Sequence, residues 1–252
     1  MADIDDTLTT DGRITSDALI ALGRLQAAGL HCILVTGRPV GWSEPSARDW
    51  PVDAIVAENG AVALLRRLDP ASHSVIVEKI YQQDEATRRR NFERLQQVAS
   101  RILREVPGTC LAQDSAGRET DIAVDHSEFS SLSPTGIEQV VNLMHKEGMN
   151  ATVSSIHING WYGEHNKLDG ARWITRHLWL RDLDRELPHW VYVGDSTNDQ
   201  IMFQHFPHSV GVANIRRFES ELQHWPRYLC RAERGAGFAE LTEVLLQGRD
   251  LG

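Results

Sequence analysis

The sequence predicts an α/β fold: a Rossmann-like parallel-sheet core with helices on both faces, plus an inserted α/β cap. The main observation is that apolar runs alternate with amphipathic runs, which is typical of a parallel sheet covered on both sides. A second observation is a separate strand–helix pattern in the middle of the chain. The apolar runs that predict core strands are HCILVTG (31–37), DAIVAENG (53–60), HWVYVGD (189–195) and HSVGVAN (208–214).

A helix is predicted directly before the first of these strands. Ser16 can cap its N-terminus, Leu19, Leu22 and Leu25 share one face, and Gly29 can end it. The helix KLDGARWITRHL begins at Lys167, in the second half of the core.

The middle segment, residues 65–163, is predicted to form the cap, which leaves 1–64 and 164–252 for the core. Its helix with Ser133 and Pro134 at the start and Gly148 at the end follows known helix start and stop signals. Its other predicted elements are a strand HSVIVEKI (73–80), a long helix whose apolar face runs from Phe92 to Val106, a half-buried strand TDIAVDH (120–126) and a strand NATVSSIHI (150–158).

Composition excludes several classes of protein. The chain has 252 residues and a net charge of −9, which argues against a general nucleic-acid binder. Its three cysteines are far apart and match neither a disulfide framework nor a zinc site. No long apolar run or hydrophobic signal segment is present, so we expect no membrane partner and a cytoplasmic location.

The opening MADIDDTLTT crowds Asp3, Asp5 and Asp6 together, and a divalent cation is the obvious compensation for their charges. In a parallel sheet, ligands bind at the carboxyl ends of the strands. Asp3 and Asp195 could share Mg²⁺ there, while Thr36 and Lys167 could bind a phosphoryl group. A carboxylate beside the metal can act as nucleophile, and a carboxyl two residues on can serve as general acid and base.

Four motifs in this order resemble those of the haloacid dehalogenase-like (HAD) phosphohydrolases: DIDDT (3–7), LVTG (34–37), Lys167 and GDSTND (194–199). The long interval between Thr36 and Lys167 resembles subfamily IIB, which carries a large α/β cap between the second and third motifs. AENGA (57–61) and KLDGA (167–171) resemble its sugar-phosphatase branch, which includes sucrose-phosphate, mannosyl-3-phosphoglycerate and trehalose-phosphate phosphatases.

The resemblance implies a role for each matching residue. Asp3 would be the nucleophile and a Mg²⁺ ligand, and Asp5 the general acid/base and a ligand through its carbonyl. Asp195 would be the other protein ligand of the metal. Thr36 and Lys167 would hold the phosphoryl group. Thr7 would help to hold the loop around Asp5, and Gly37 and Asn198 would lie close to the phosphate. Asp199 would orient metal-bound water or Lys167.

Substrate contacts are less defined by the motifs. Arg38 could touch substrate or only pair with a surface carboxylate, and Asn59 could line the pocket or form its turn. In the cap, the candidates are Arg118, Ser154, His157 and Asn159. Ser154 and His157 are an odd number of residues apart and cannot share one face of a regular strand.

These observations predict a Mg²⁺-dependent phosphatase for a small phosphorylated metabolite, with a sugar phosphate favoured, acting through an aspartyl-phosphate. A phosphomutase or phosphotransferase on the same scaffold is one alternative. A noncatalytic sugar-phosphate-binding protein is another. The oligomeric state is not predicted.

The resemblance also implies that the strand before Asp3 is central in the sheet, yet only Met1 and Ala2 precede Asp3. We expect that residues added upstream would complete this strand and stabilise the protein, because typical strands have about 5–6 residues.

Overall fold

The structure is a computed structural model that describes residues 1–71 and 74–249. Within these ranges the strands are β1 (Thr9–Thr10), β2 (Arg13–Ile14), β3 (Ile33–Val35), β4 (Ala54–Ala57), β5 (Val62–Leu68), β6 (Val75–Tyr81), β7 (Cys110–Leu111), β8 (Asp121–Asp125), β9 (Asn150–Val153), β10 (His157–Trp161), β11 (Val191–Gly194), β12 (His208–Gly211) and β13 (Tyr228–Leu229). The α-helices are α1 (Ser16–Ala27), α2 (Val40–Asp49), α3 (Glu85–Glu105), α4 (Pro134–Lys146), α5 (Lys167–Trp179), α6 (Leu183–Glu186), α7 (Gln200–His205) and α8 (Arg234–Arg249).

The core sheet has the order β13–β12–β11, then Ala2, then β3–β4–β5–β6. Ala2 bridges Leu34 and Val193 in parallel, and the hairpin β5–β6 adds two antiparallel strands at one edge. One face packs on α1, α2 and α8 through residues such as Leu22 and Phe238. The other face packs on α5 and α7. The predicted sheet with helices on both faces is therefore confirmed.

The cap has its own antiparallel sheet, in the order β7–β8–β10–β9, and a core formed with α3 and α4. Ser133 caps α4 as predicted, its hydroxyl accepting a hydrogen bond from Gly136 N. Strand β8 is buried along its whole length rather than on one face. Its apolar side packs on the helices, and its polar residues Asp121 and Asp125 hydrogen-bond with residues of the cap and its loops.

Three further local predictions were wrong. The cap of α1 is Thr15, whose hydroxyl accepts from Ala18 N, rather than Ser16. Residues 150–158 form two strands rather than one, because the Ser154 hydroxyl accepts from the backbone N–H groups of Ile156 and His157 and closes a turn.

The third wrong prediction concerns the strand at 73–80, which was expected in the cap. Its described part, β6, pairs with β5 from Val62↔Tyr81 to Leu68↔Val75 and so extends the core sheet. His73 lies outside the described residues. We propose that the cap spans residues 82–163.

The chain leaves and re-enters the core through adjacent segments. Gln83 Nε2 donates to Tyr162 O at 2.9 Å, which joins the outgoing segment to the returning one. Gln82 Nε2 donates to Gly60 O at 2.8 Å and ties the outgoing segment to the core. Both connections therefore form one junction at Gln82, Gln83 and Tyr162, the cap junction.

Met1 and Ala2 occupy the centre of the core sheet. Ala2 N donates to Ile33 O and Val35 N donates to Ala2 O, while Val193 N donates to Met1 O on the other side. An apolar cavity of about 230 Å³, with Met1, Ala2 and Phe238 in its wall, lies next to them. The stabilising effect of added upstream residues stays a prediction. In the described ranges, no helix has the length and apolar character needed to cross a membrane.

Candidate active site

Three buried carboxylates meet where β11 and the opening stretch end side by side. Asp3 N donates to Val193 O at 2.9 Å, which fixes Asp3 beside the loop that begins at Asp195. Oxygen atoms of Asp3, Asp195 and Asp199 all lie within 4.8 Å of one another. These side chains are almost completely buried. The predicted convergence of the first and fourth motifs is thus present in the geometry.

Lys167 is the cation of this cluster. Its Nζ lies 2.7 Å from Asp3 Oδ1 and 2.7 Å from Asp199 Oδ1, and the residue is 2% exposed. Asn166 caps α5 by accepting from Leu168 N and Asp169 N, which sets Lys167 at the first position of the helix. One ammonium faces three carboxylates, so the cluster keeps an excess of negative charge.

A contact between two glycines sets the position of α5. The turn Glu58–Gly60 packs directly on the first turns of this helix. Gly60 has φ +111°, and a Cβ there would collide with Asn166 O. A Cβ on Gly170 would lie 2.6 Å from Gly60 Cα. The glycines of AENGA and KLDGA thus bring Lys167 close to Asp3, a role that the sequence analysis did not assign.

Asp199 holds the fourth-motif loop and the lysine together. Its Oδ1 accepts from Lys167 Nζ and, at 2.5 Å, from Tyr192 OH. Its Oδ2 accepts from Asp195 N at 3.0 Å and from Ser196 N at 3.2 Å. With four donors on two oxygens, Asp199 is engaged with protein groups on every side.

The hydrogen bonds from protein groups to Asp195 are longer than those to Asp199. Thr7 Oγ1 and Asn214 Nδ2 each approach one of its oxygens at 3.3 Å. Asn214 also donates to Asp6 O at 3.0 Å, so it joins the first motif to the fourth. The sequence analysis missed Asn214, although it ends the predicted strand HSVGVAN and the rule of polar residues at strand ends could have found it.

The electrostatics of the cluster favour a bound cation. Burial raises the pKa of Asp3 to about 8, against the lowering effect of Lys167. Burial and the nearby carboxylates Asp3 and Asp199 raise the pKa of Asp195 well above its ordinary value. Oxygen donors with excess negative charge are what Mg²⁺ selects. The residues present therefore fit such an ion.

Asp5 faces the cap and is held by Arg38. Arg38 Nε lies 2.8 and 3.0 Å from the two oxygens of Asp5, and burial raises the pKa of Asp5. The other nitrogens of Arg38 donate to Glu128 and Asp114 of the cap, at 2.7 and 3.1 Å. Of the two predictions for Arg38, the structure favours pairing with carboxylates, and these are partly buried between core and cap rather than on the surface.

The second motif forms a turn beneath the cap. Thr36 is fully buried, and its hydroxyl accepts from Arg38 N at 3.0 Å. Gly37 O accepts from Arg118 Nη1 at 3.0 Å and from Asn159 Nδ2 at 3.3 Å. Arg118 is also bound to Asp121, so the guanidinium secures the cap on this turn.

The remaining candidates have different surroundings. Asn59 is buried in a left-handed conformation, φ 54°, near Gly37. Ser154 uses its hydroxyl within its own turn. His157 Nε2 lies 2.8 Å from Glu128 Oε2. Asn198 Oδ1 accepts from Ser196 Oγ at 3.0 Å.

Two cavities flank the site. One, of about 490 Å³, has Asp5 and Asp195 in its wall together with cap residues 127–129 and the core residues Arg217 and Arg234. The other, of about 370 Å³, is bordered by Asn59, Lys167 and Asn198. Of these two cavities, Asp5 lines the first and Lys167 lines the second.

Known proteins resemble this chain in part of its sequence and in its fold. Residues 1–106 match the family model of the haloacid dehalogenase-like hydrolases. No curated relative matches the sequence significantly. The match over residues 1–106 agrees with the predicted family resemblance.

Several solved structures share the fold over nearly the full length. A Thermoplasma acidophilum protein is 16% identical, with a TM-score of 0.68 over 96% of this chain and 95% of that one. The sucrose-phosphatase of Synechocystis, solved with sucrose and phosphate, has 16% identity and a TM-score of 0.64 over 96% and 95%. A sugar phosphatase of HAD subclass IIB has 16% identity and a TM-score of 0.62 over 97% of each chain.

Proposed function

We propose that this chain is a Mg²⁺-dependent phosphatase that hydrolyses a small phosphorylated metabolite, with a sugar phosphate as the favoured substrate. The observation that carries the proposal is the placement of Lys167 between Asp3 and Asp199, with Asp195 alongside. A buried carboxylate next to one ammonium and a cation site is suited to attack on a phosphoryl group.

The metal would be held by the carboxylates of Asp3 and Asp195 and by the backbone carbonyl of Asp5. Asp199 is excluded from this set because four protein donors already occupy its oxygens. When bound, Mg²⁺ would neutralise charge on a phosphoryl oxygen and lower the pKa of Asp3, which favours the ionised nucleophile.

The reaction then has two steps on the residues of this chain. Asp3 attacks phosphorus, a bond from its carboxylate oxygen to phosphorus forms, and the bond to the leaving oxygen breaks. Asp5 gives its proton to that oxygen. In the second step Asp5 takes a proton from water, which attacks phosphorus and releases inorganic phosphate and the free Asp3 carboxylate. Thr36 and Lys167 would hold the phosphoryl oxygens throughout.

The leaving group would occupy the 490 Å³ cavity. Asp5 stands in the wall of this cavity and must reach the leaving oxygen to protonate it. Cap residues form the opposite wall, which supports a role of the cap in substrate choice. The sugar phosphatases among the structural neighbours support a sugar as the leaving group.

The test is phosphate release from a panel of sugar phosphates, small phosphorylated acids and 4-nitrophenyl phosphate, with Mg²⁺ present. Asp3→Asn keeps the shape of the side chain but removes the anionic nucleophile, so we expect a native circular dichroism spectrum and no turnover. Asp49→Asn, at an exposed position, is the matched control and should behave as wild type. Near-native release from Asp3→Asn would overturn the assignment.

A further inference from the structure

We infer that Glu128 of the cap positions the general acid Asp5 through Arg38, so that the acid is correctly placed only when the cap is docked. The inference rests on the proposed function and adds positioning residues to it. It starts from the fact that Arg38 has carboxylate partners on both sides of the interface between core and cap.

Arg38 has carboxylate partners on each of its three guanidinium nitrogens. Its side chain is 4% exposed, and its guanidinium packs 5.0 Å from the centre of the Trp42 ring. All three nitrogens of the group lie near carboxylates, with Nε on Asp5, Nη1 on Asp114 and Nη2 on Glu128. The contact of Nε with both oxygens of Asp5 is the route by which Glu128 can act on the general acid.

Glu128 is itself held rigidly. Asp125 accepts from Ser127 N at 3.0 Å, from Glu128 N at 2.9 Å and from Phe129 N at 2.9 Å, which fixes the loop that carries Glu128. His157, opposite Asp125 in the cap sheet, lies 2.8 Å from the carboxylate of Glu128. The orientation of Glu128 is therefore set by its backbone and its side chain together.

This rigidity is transmitted to Asp5. Glu128 binds Nη2 of the planar Arg38 guanidinium. Because the group is rigid, this contact also sets the direction of Nε, which donates to both oxygens of Asp5. When the cap separates from the core, Arg38 loses Glu128 and Asp114 and can move with Asp5. Docking of the cap over a substrate would thus align the acid with the leaving oxygen.

The test compares two kinds of leaving group. A sugar hydroxyl needs a proton as it leaves, whereas 4-nitrophenolate leaves readily without one. We expect Glu128→Gln to lower kcat/KM for the best sugar phosphate of the panel by about tenfold or more, and for 4-nitrophenyl phosphate by less than about threefold. Asp5→Asn should show the same selectivity.

A double-mutant cycle makes the test specific. If Glu128 acts through Asp5, then Glu128→Gln should cause no further selective loss in the Asp5→Asn background. His157→Phe, which removes the group beside Glu128, should show a weaker form of the same selectivity and serves if Glu128→Gln is unstable. Glu105→Gln, which alters an exposed cap glutamate paired with two arginines, is the matched control and should have no effect.

Equal losses on both substrates, additive effects in the cycle, or unchanged kinetics would overturn the inference. These results would leave the phosphatase intact, because the wild-type enzyme would still release phosphate. A wild-type protein that releases no phosphate from any substrate would instead overturn the proposed function, and this inference with it.

Discussion

Replacing Lys167 by Met tests whether the buried cluster depends on its single ammonium. The substitution keeps a similar length and volume but removes the positive charge. Lys167 contacts two carboxylates at 2.7 Å and is 2% exposed, so its loss leaves Asp3 and Asp199 buried without their cation. Breaking a buried ion pair from one side typically costs about 3–5 kcal/mol.

The expected loss is large compared with the total stability of about 5–15 kcal/mol for a typical domain. We therefore expect a urea midpoint far below that of wild type in the presence of chelator, with phosphate release abolished. Added Mg²⁺ should recover part of the stability and none of the turnover, because the cation replaces the charge but not the phosphoryl contact. Urea unfolding followed by circular dichroism measures the difference.

Lys146→Met is the matched control, since Lys146 is exposed at the end of α4. A surface substitution of this kind usually changes stability by less than about 0.5 kcal/mol. If Lys167→Met unfolds at the same urea concentration as Lys146→Met, then Lys167 does not compensate the cluster and the reasoning is refuted.

Three further predictions concern the metal, the glycine contact and the cap. The raised pKa of Asp3, about 8 against an ordinary 3.8, means that the folded state holds a proton that the unfolded chain has lost. In the presence of chelator, the melting temperature should therefore fall as pH rises from 4 to 8. Added Mg²⁺ should remove most of that fall. A melting temperature in chelator that does not change with pH would contradict this prediction. Gly170→Ala should lower the free energy of unfolding by about 1–3 kcal/mol and reduce activity, because its Cβ would collide with Gly60. Gly23→Ala, which lies in open space on α1, should raise the free energy of unfolding by about 0.5–1 kcal/mol. Melting temperatures of the two variants that move in the same direction would refute this prediction. Arg118→Lys keeps the charge but removes the planar guanidinium that binds both Gly37 O and Asp121. KM for a sugar phosphate should therefore rise more than KM for 4-nitrophenyl phosphate. Equal changes in both KM values would count against this prediction.

Much of the site could be predicted because strand ends are visible in the sequence. Apolar runs followed by polar residues placed Thr36 and Asp195 at one edge of the sheet, and Asp3 lies there with them after the short stretch Met1–Ala2. Lys167 was predicted at the start of a helix as a possible phosphoryl ligand, but a lone lysine there carries no local signal of its burial between Asp3 and Asp199.

The contacts across the interface could not be predicted from periodicity. Arg38 and Glu128 are far apart in sequence, and their pairing depends on how the cap docks. Strand β6 was assigned to the cap because a hairpin that extends the core has the same local pattern as a strand of another unit. The split of 150–158 depended on one hydroxyl, Ser154, whose hydrogen bonds to the backbone outweigh the strand propensity of its neighbours.

The cap junction has a consequence for how such a chain can evolve. Gln83 and Tyr162 join the outgoing and returning segments, so both chain connections between the cap and the core lie at one place. Insertions whose two ends lie close together can be exchanged without disturbing the host domain. A new cap spliced at this point would inherit the four motifs and the chemistry already built into the core. The ancestry of the substrate pocket and that of the reaction centre can therefore differ within a single gene.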